Sequence, residues 1–225
     1  MSRIAIIGTG RMGGAFGPRL VEQGHSVVYG SREPDREDLL QLSQTLGDGG
    51  SVTAIAEAVD GADMVLLATP YSALSSLWDE LGELDGTIVI DVTNALAMGE
   101  GGLMEMVSES SSAQEIAAAK PKARIVKAFN TVGFHIVANP AGAGGPVTTI
   151  LASDDEEAKQ EVAKLARSIG FETADVGPLR HARYLEGMSA LYLVPYLQGR
   201  MADAFEFHLR TAASPSESKG VRAAG

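Results

Sequence analysis

The stretch that most constrains this chain lies at its start. Ile4-Ala5-Ile6-Ile7 is wholly apolar and stops at Gly8-Thr9-Gly10-Arg11-Met12-Gly13. A short apolar run bounded by a turn reads as a strand buried on both faces. The glycines follow the spacing G-x-G-x-x-G and lead into a helical pattern. In that setting the first glycine allows a tight turn, the second lets a pyrophosphate approach the backbone, and the third lets helix and strand pack closely. Free N–H groups at the helix start then face the phosphates. The spacing is weak evidence alone and gains meaning from the strand before it and the helix after it. Gly8, Thr9, Gly10, Arg11, Met12 and Gly13 are therefore expected to cradle a dinucleotide.

The helix over 11–23 closes at Gly24, and a strand over 25–29 follows. His25, just before that strand, suits a hydrogen bond to the neighbouring turn. The strand ends at Gly30-Ser31-Arg32, where an NAD-binding chain places an acidic residue to receive the ribose hydroxyl. Here a hydroxyl and an arginine stand instead, and Arg36 follows. A hydroxyl donor and a guanidinium fork suit a 2′-phosphate, so the expected cofactor is NADP(H).

Strand and helix then alternate. Helices are expected over 34–46, 75–84 and 112–119, the last opened by a capping box at Ser112-Ala113-Gln114-Glu115, and a short helix within 52–59. Strands are expected over 63–68, 87–91, 123–129, 147–152 and 171–176, and residues 100–111 read as a loop. An acidic-start helix covers 154–168, and a long helix runs from 180 to about 210, kinked at Pro195. This pattern gives an α/β, Rossmann-type, doubly wound and mostly parallel sheet with a small C-terminal strand-plus-long-helix extension. The expected division is a nucleotide-binding domain over 1–150, an extension over 151–210 that forms the acceptor side, and a loose tail over 211–225.

Ligands in such sheets bind outside the carboxyl ends of the strands. Thr69 and Pro70 end one strand there, and Tyr71, Ser72 and Leu74 line the same wall or simply pack. Thr93 and Asn94 end another, where Asn94 faces a nicotinamide ribose or caps the strand exit. Asn130 and Thr131 end a third.

The net charge of −11 argues against a nucleic-acid or anionic-membrane surface. There is no cysteine, hence no disulfide and no thiol nucleophile. The four histidines are scattered, without metal-ligand spacing. No basic leader precedes the first strand, and the apolar runs are too short to span a bilayer. A cytoplasmic protein without a membrane partner is expected.

Four stretches together carry a family resemblance: Gly8-Thr9-Gly10-Arg11-Met12-Gly13; Gly30-Ser31-Arg32; Val126-Lys127-Ala128-Phe129-Asn130-Thr131-Val132; and Asp175-Val176-Gly177-Pro178-Leu179 with Arg183, Leu185 and Glu186 after it. From Ile4 to about Leu197 the chain resembles the NADPH-dependent reductases of the deazaflavin (coenzyme F420) type. The resemblance implies hydride transfer between nicotinamide and a flavin-like ring stacked on it, with the protein supplying position and electrostatics. The chain departs from that family at Asn130, where those enzymes carry a histidine. Its Lys-Ala-Phe-Asn-Thr form is also similar to the cytosolic NADPH-binding domain of six-transmembrane metalloreductases, which pass hydride to a flavin.

On this reading Asn130, Thr131 and His135 are the candidate catalytic residues, and Phe129, Gly177, Pro178, Leu179 and Arg183 the candidate acceptor contacts. A mutual surface pair is the mundane role for Arg183 and Glu186. Two other functions stay open. One is reduction of a small carbonyl or imine, for which His135 and Tyr71 are the available proton donors. The other is NADP(H) sensing without turnover. Apolar positions along the last helix suggest a homo-oligomer.

Overall fold

A computed structural model describes residues 1–200 and 206–210; the tail expected over 211–225 lies outside the described residues. The first half runs β1 (Arg3–Ile7), α1 (Arg11–Glu22), β2 (Ser26–Ser31), α2 (Glu37–Leu46), β3 (Gly50–Ala54), α3 (Ile55–Val59), β4 (Met64–Leu67), α4 (Tyr71–Leu74), α5 (Trp78–Leu81) and β5 (Ile88–Asp91). The second runs β6 (Leu96–Met98), β7 (Met104–Met106), α6 (Ser112–Ala119), β8 (Arg124–Lys127), α7 (Phe134–Ala138), β9 (Thr148–Leu151), α8 (Glu156–Ser168), β10 (Glu172–Asp175) and α9 (Ala182–Leu197).

The main sheet is six-stranded and parallel, in the order β3-β2-β1-β4-β5-β8. Its strands alternate their side chains between two helical layers. Along β1, Ile4 and Ile6 join Phe16, Tyr29, Phe129 and Phe171 on one face. Ala5 and Ile7 join Val65, Leu67, Val89 and Leu179 on the other. Two apolar faces explain why β1, β4 and most of β5 read as unbroken apolar runs.

β9 and β10 form a parallel pair, tied to the main sheet by an antiparallel bridge between Lys127 and Ala152. The first core contains Val147, Leu151, Val162 and Phe171 beside Ile4 and Ile6. The boundary at 150 therefore crosses continuous packing.

Several local expectations are corrected. The short helix expected within 52–59 is Ile55–Val59, whereas residues 50–54 form edge strand β3 paired to β2, a strand the sequence did not suggest. Residues 71–81 form short turns of α and 3₁₀ helix in place of one longer helix. The expected loop over 100–111 contains one arm of the β6–β7 hairpin. The cap of α6 is Ser111, whose Oγ accepts from Gln114 N, one residue before the expected box. That register leaves Ser112 free to bond inward. The last helix ends at Leu197, and residues 206–210 are not helical. They return across β9, where Phe207 O accepts from Thr148 N and Leu209 N donates to Thr148 Oγ1.

Candidate functional site

At the glycine turn each glycine meets a different constraint. Gly8 has φ +115°, and a Cβ there would lie 2.5 Å from Ala68 O. A Cβ on Gly13 would lie 1.8 Å from Gly8 O, a contact only glycine permits. Gly10 faces open space: a Cβ there would meet nothing within 4 Å. Tyr29 Oη donates to Gly13 O at 2.8 Å, holding α1 against β2. Burial raises the Tyr29 phenol above its ordinary range, so it stays a donor.

Ser31, Arg32 and Arg36 follow at the end of β2. Ser31 Oγ accepts from Glu33 N at 3.1 Å, leaving its own hydrogen to give. Arg36 pairs with Asp38 and reaches Thr9 Oγ1 at 3.4 Å, so it stands beside the glycine turn. Arg32 bonds Glu80 Oε1 at 2.7 Å and Ser76 O at 2.7 Å. The two arginines thus have separate protein partners.

A cleft runs along the carboxyl ends of the strands in two chambers. One, of about 740 Å³, is lined by Gly10, Thr69, Pro70, Tyr71, Thr93 and others. The second, of about 500 Å³, is lined by Asn130, Gly133, Phe134, His135, Ser189 and Tyr192. Arg11, Met12, Asn94 and Leu193 border both. The residues present fit a dinucleotide on two counts. The space above Gly10 is open, and one buried oxygen beside each chamber, Thr69 Oγ1 and Asn130 Oδ1, has no hydrogen-bond partner among the described residues. Such atoms are costly unless a ligand satisfies them.

Asn130 and Asn94 lock together: Asn130 Nδ2 donates to Asn94 Oδ1 at 2.9 Å, and Asn94 Nδ2 donates to Asn130 O at 3.2 Å. Ser189 Oγ on α9 donates to the same Asn130 carbonyl at 3.0 Å. Beneath them lies an ionic network the sequence reading missed. Lys127 Nζ donates to Glu186 Oε1 at 2.6 Å, to Asp91 Oδ2 at 3.0 Å, to Ser112 Oγ at 2.9 Å and to Thr93 O. Lys127, Asp91 and Glu186 are 0% exposed. Glu186 Oε2 also accepts from Ala95 N, and Asp91 Oδ1 from Thr93 N and Oγ1. The network fastens β5, β8, α6 and α9 under the Asn94 loop. Its signal was available: a lysine inside an apolar parallel strand needs a buried partner.

Several expected site residues fall elsewhere. Phe129 is wholly buried between Phe16 and Phe171, at ring distances of 5.0 and 5.5 Å, and its φ is +59°. It shapes the loop without reaching either chamber. Thr131 is likewise buried and lines neither. Gly177, Pro178, Leu179 and Arg183 line neither chamber. Gly177 O accepts from Ser153 N, Leu179 N donates to Asp154 Oδ1, and Leu179 lies in the core. α9 meets the cleft later, at Ser189, Tyr192 and Leu193. Arg183 is exposed and Glu186 turns inward to Lys127, so they do not form the expected surface pair. The Tyr71 hydroxyl is held by Glu115 at 2.9 Å, and burial and that carboxylate raise its pKa.

His135 does line the second chamber, half exposed. Its Nε2 lies 3.6 Å from Glu206 Oε1, and Tyr192 Oη lies 3.5 Å from the same oxygen. Burial pushes the Glu206 carboxyl up to about 7. Nothing local in the sequence marks Glu206, because it arrives from beyond the last helix.

Fold and cleft together define a Rossmann-type protein with a dinucleotide-shaped cleft at its strand ends. Residues 3–95 match the family described as NADP oxidoreductase, coenzyme F420-dependent. The rat metalloreductase STEAP3 is 33% identical over 86% of this chain and 37% of its own length. Human metalloreductase STEAP2 is 30% identical over 82% of this chain and 35% of its own. The chain thus spans little more than a third of these relatives. A candidate F420-dependent NADP-reductase from Arthrobacter sp. FB24 superposes with a TM-score of 0.84 at 28% identity, covering 94% of this chain and all of that one. No helix among the described residues is long and apolar enough to cross a membrane.

Proposed function

We propose that the protein transfers hydride from NADPH to a flavin or deazaflavin seated in the chamber beside Asn130. The observation that carries this reading is the shared border of the two chambers at Arg11, Met12, Asn94 and Leu193, where a nicotinamide reaching out of the first chamber would meet a ring held in the second. NADPH supplies the hydride; the chain binds, orients and excludes water. Gly8 to Gly13 receive the pyrophosphate, and Ser31, Arg32 and Arg36 the 2′-phosphate. Thr69, Pro70 and Asn94 flank the nucleotide. Asn130 Oδ1, without a partner among the described residues, accepts from the nicotinamide carboxamide. The guanidinium of Arg11, 5.3 Å from the Phe134 ring centroid, holds that ring at the chamber edge as a stacking wall.

The Arthrobacter likeness supports the deazaflavin version, and the metalloreductase likeness supports NADPH as donor. A cytoplasmic homo-oligomer is part of the same proposal, with exposed Tyr184 and Leu191 on α9 as the contact surface. The test is NADPH oxidation followed optically with F420, FMN and FAD in turn. Turnover with at least one supports the reading. No turnover with any, or reduction of small imines or carbonyls alone, overturns it.

A further inference from the structure

Hydride alone leaves a reduced flavin-like ring as an anion, and one proton on a ring nitrogen completes the neutral dihydro form; the second chamber holds a group placed to supply it. The Glu206 side chain is 15% exposed. Its Oε1 sits behind two chamber-lining side chains, Tyr192 from α9 and His135 from α7, at 3.5 and 3.6 Å. Its Oε2 is buried with no hydrogen-bond partner among the described residues. An ionised carboxylate rarely tolerates such an oxygen, whereas a neutral acid does. We propose that Glu206 is the proton reservoir of this chamber, feeding the acceptor through the Tyr192 hydroxyl and refilled from solvent through His135. This rests on the hydride-transfer reading above.

A C–H bond of the nicotinamide breaks, and its electron pair and hydrogen form one new bond on the acceptor ring. The Tyr192 hydroxyl proton forms a second bond, on a ring nitrogen, while Glu206 hands its own proton to Tyr192. Glu206 is left as carboxylate and recovers a proton along the half-exposed His135 ring. Tyr192 never carries charge, which suits a phenol raised above its ordinary range by burial and by the carboxyl beside it. The carboxyl's rise to about 7 keeps it protonated at the lower end of the working range. The groups facing it are Tyr192, His135 and the Gly133 N–H. His208, further along its own segment, faces Glu172.

The test compares wild type, E206Q, E206D and Y192F in NADPH oxidation with FMN and F420, alongside infrared titration of the resting full-length protein. E206Q is expected to lose about 100-fold in kcat with NADPH affinity unchanged. It should also lose the fall in rate that wild type shows above about pH 7. E206D should recover part of the rate, and Y192F should resemble E206Q. The protonated-carboxyl signal, absent in E206Q, should vanish near pH 7 in wild type. E206Q turnover equal to wild type, or a signal titrating in the ordinary carboxylate range, overturns the proton assignment. Absence of turnover in wild type overturns the hydride reading instead, and the infrared signal still decides whether Glu206 holds a proton.

Discussion

Lys127 on β8 and Glu186 on α9 stand 59 positions apart in sequence and 2.6 Å apart in the fold. The contact joins the sheet to the helix that walls the acceptor chamber. With Asp91 as the second carboxylate, it places charge where no water reaches, so each partner depends on the others.

Lys127→Met should therefore lower stability by about 3–5 kcal/mol, since two carboxylates would be left buried together. Glu186→Gln keeps the shape and one acceptor oxygen and should cost less. Urea denaturation of both variants measures the difference. Equal and negligible losses would show that the network bears no weight.

The glycine turn predicts a separation of folding from binding. Gly13→Ala drives a Cβ into Gly8 O and should prevent stable folding. Gly10→Ala meets no protein atom, so melting should stay near wild type while NADPH affinity falls at least about tenfold through blocked approach of the pyrophosphate. Thermal melting and fluorescence titration on the same samples distinguish them.

Arg32 is engaged by Glu80 and Ser76 and must exchange partners to meet a phosphate. Arg32→Asp should reduce NADPH binding far more than NADH binding. Glu80→Ala should strengthen NADPH binding up to about fivefold, the range of an exposed ion pair. If Arg32→Asp weakens both nucleotides equally, the guanidinium does not read the 2′-phosphate, and Arg36 beside Thr9 becomes the residue to vary.

Two carboxyls give opposite pH dependences. Asp155 caps α8 by accepting from Ala158 N and is gripped by Arg124, which holds it down at about 2. Its contribution is present above the ordinary carboxylate value and is lost as pH falls through about 2. Asp155→Ala should cost about 1 kcal/mol at neutral pH, the worth of a cap, with a shrinking difference in acid. Glu206, raised to about 7, contributes fully below its unfolded value and loses that contribution as pH rises through 7. In E206Q this slope should disappear from a plot of stability against pH.

The glycine turn was readable because backbone contact leaves no other residue possible at Gly8 and Gly13. β1, β4 and β5 were readable because burial on both faces demands apolar runs. β3 was not: as an edge strand with partly exposed Val52 and Thr53 it has no such run, and its pairing to β2 decides its state. Asn130 and His135 could be located from a strand end, whereas which neighbours face the cleft depends on how the chain turns at Phe129 with its positive φ. Ser189 and Tyr192 emerge only when the pitch of α9 over the sheet is known. Glu206 depends on a chain reversal beyond that helix, for which no local pattern exists.

The Lys127–Ala152 bridge bears on how small this enzyme can be made. Cutting the chain at 150 would strip β8 of its outer neighbour, leaving an open backbone edge ready to pair with another copy. It would also remove Glu186 while leaving Lys127 and Asp91 behind. Residues 1–150 alone are therefore expected to aggregate rather than fold as an excised module. A shortened version must run at least through Arg210, which keeps Glu206 and the residues bonded to Thr148, and a fusion partner or circular permutation site belongs in a turn such as Gly101–Gly102 between β6 and β7, away from this seam.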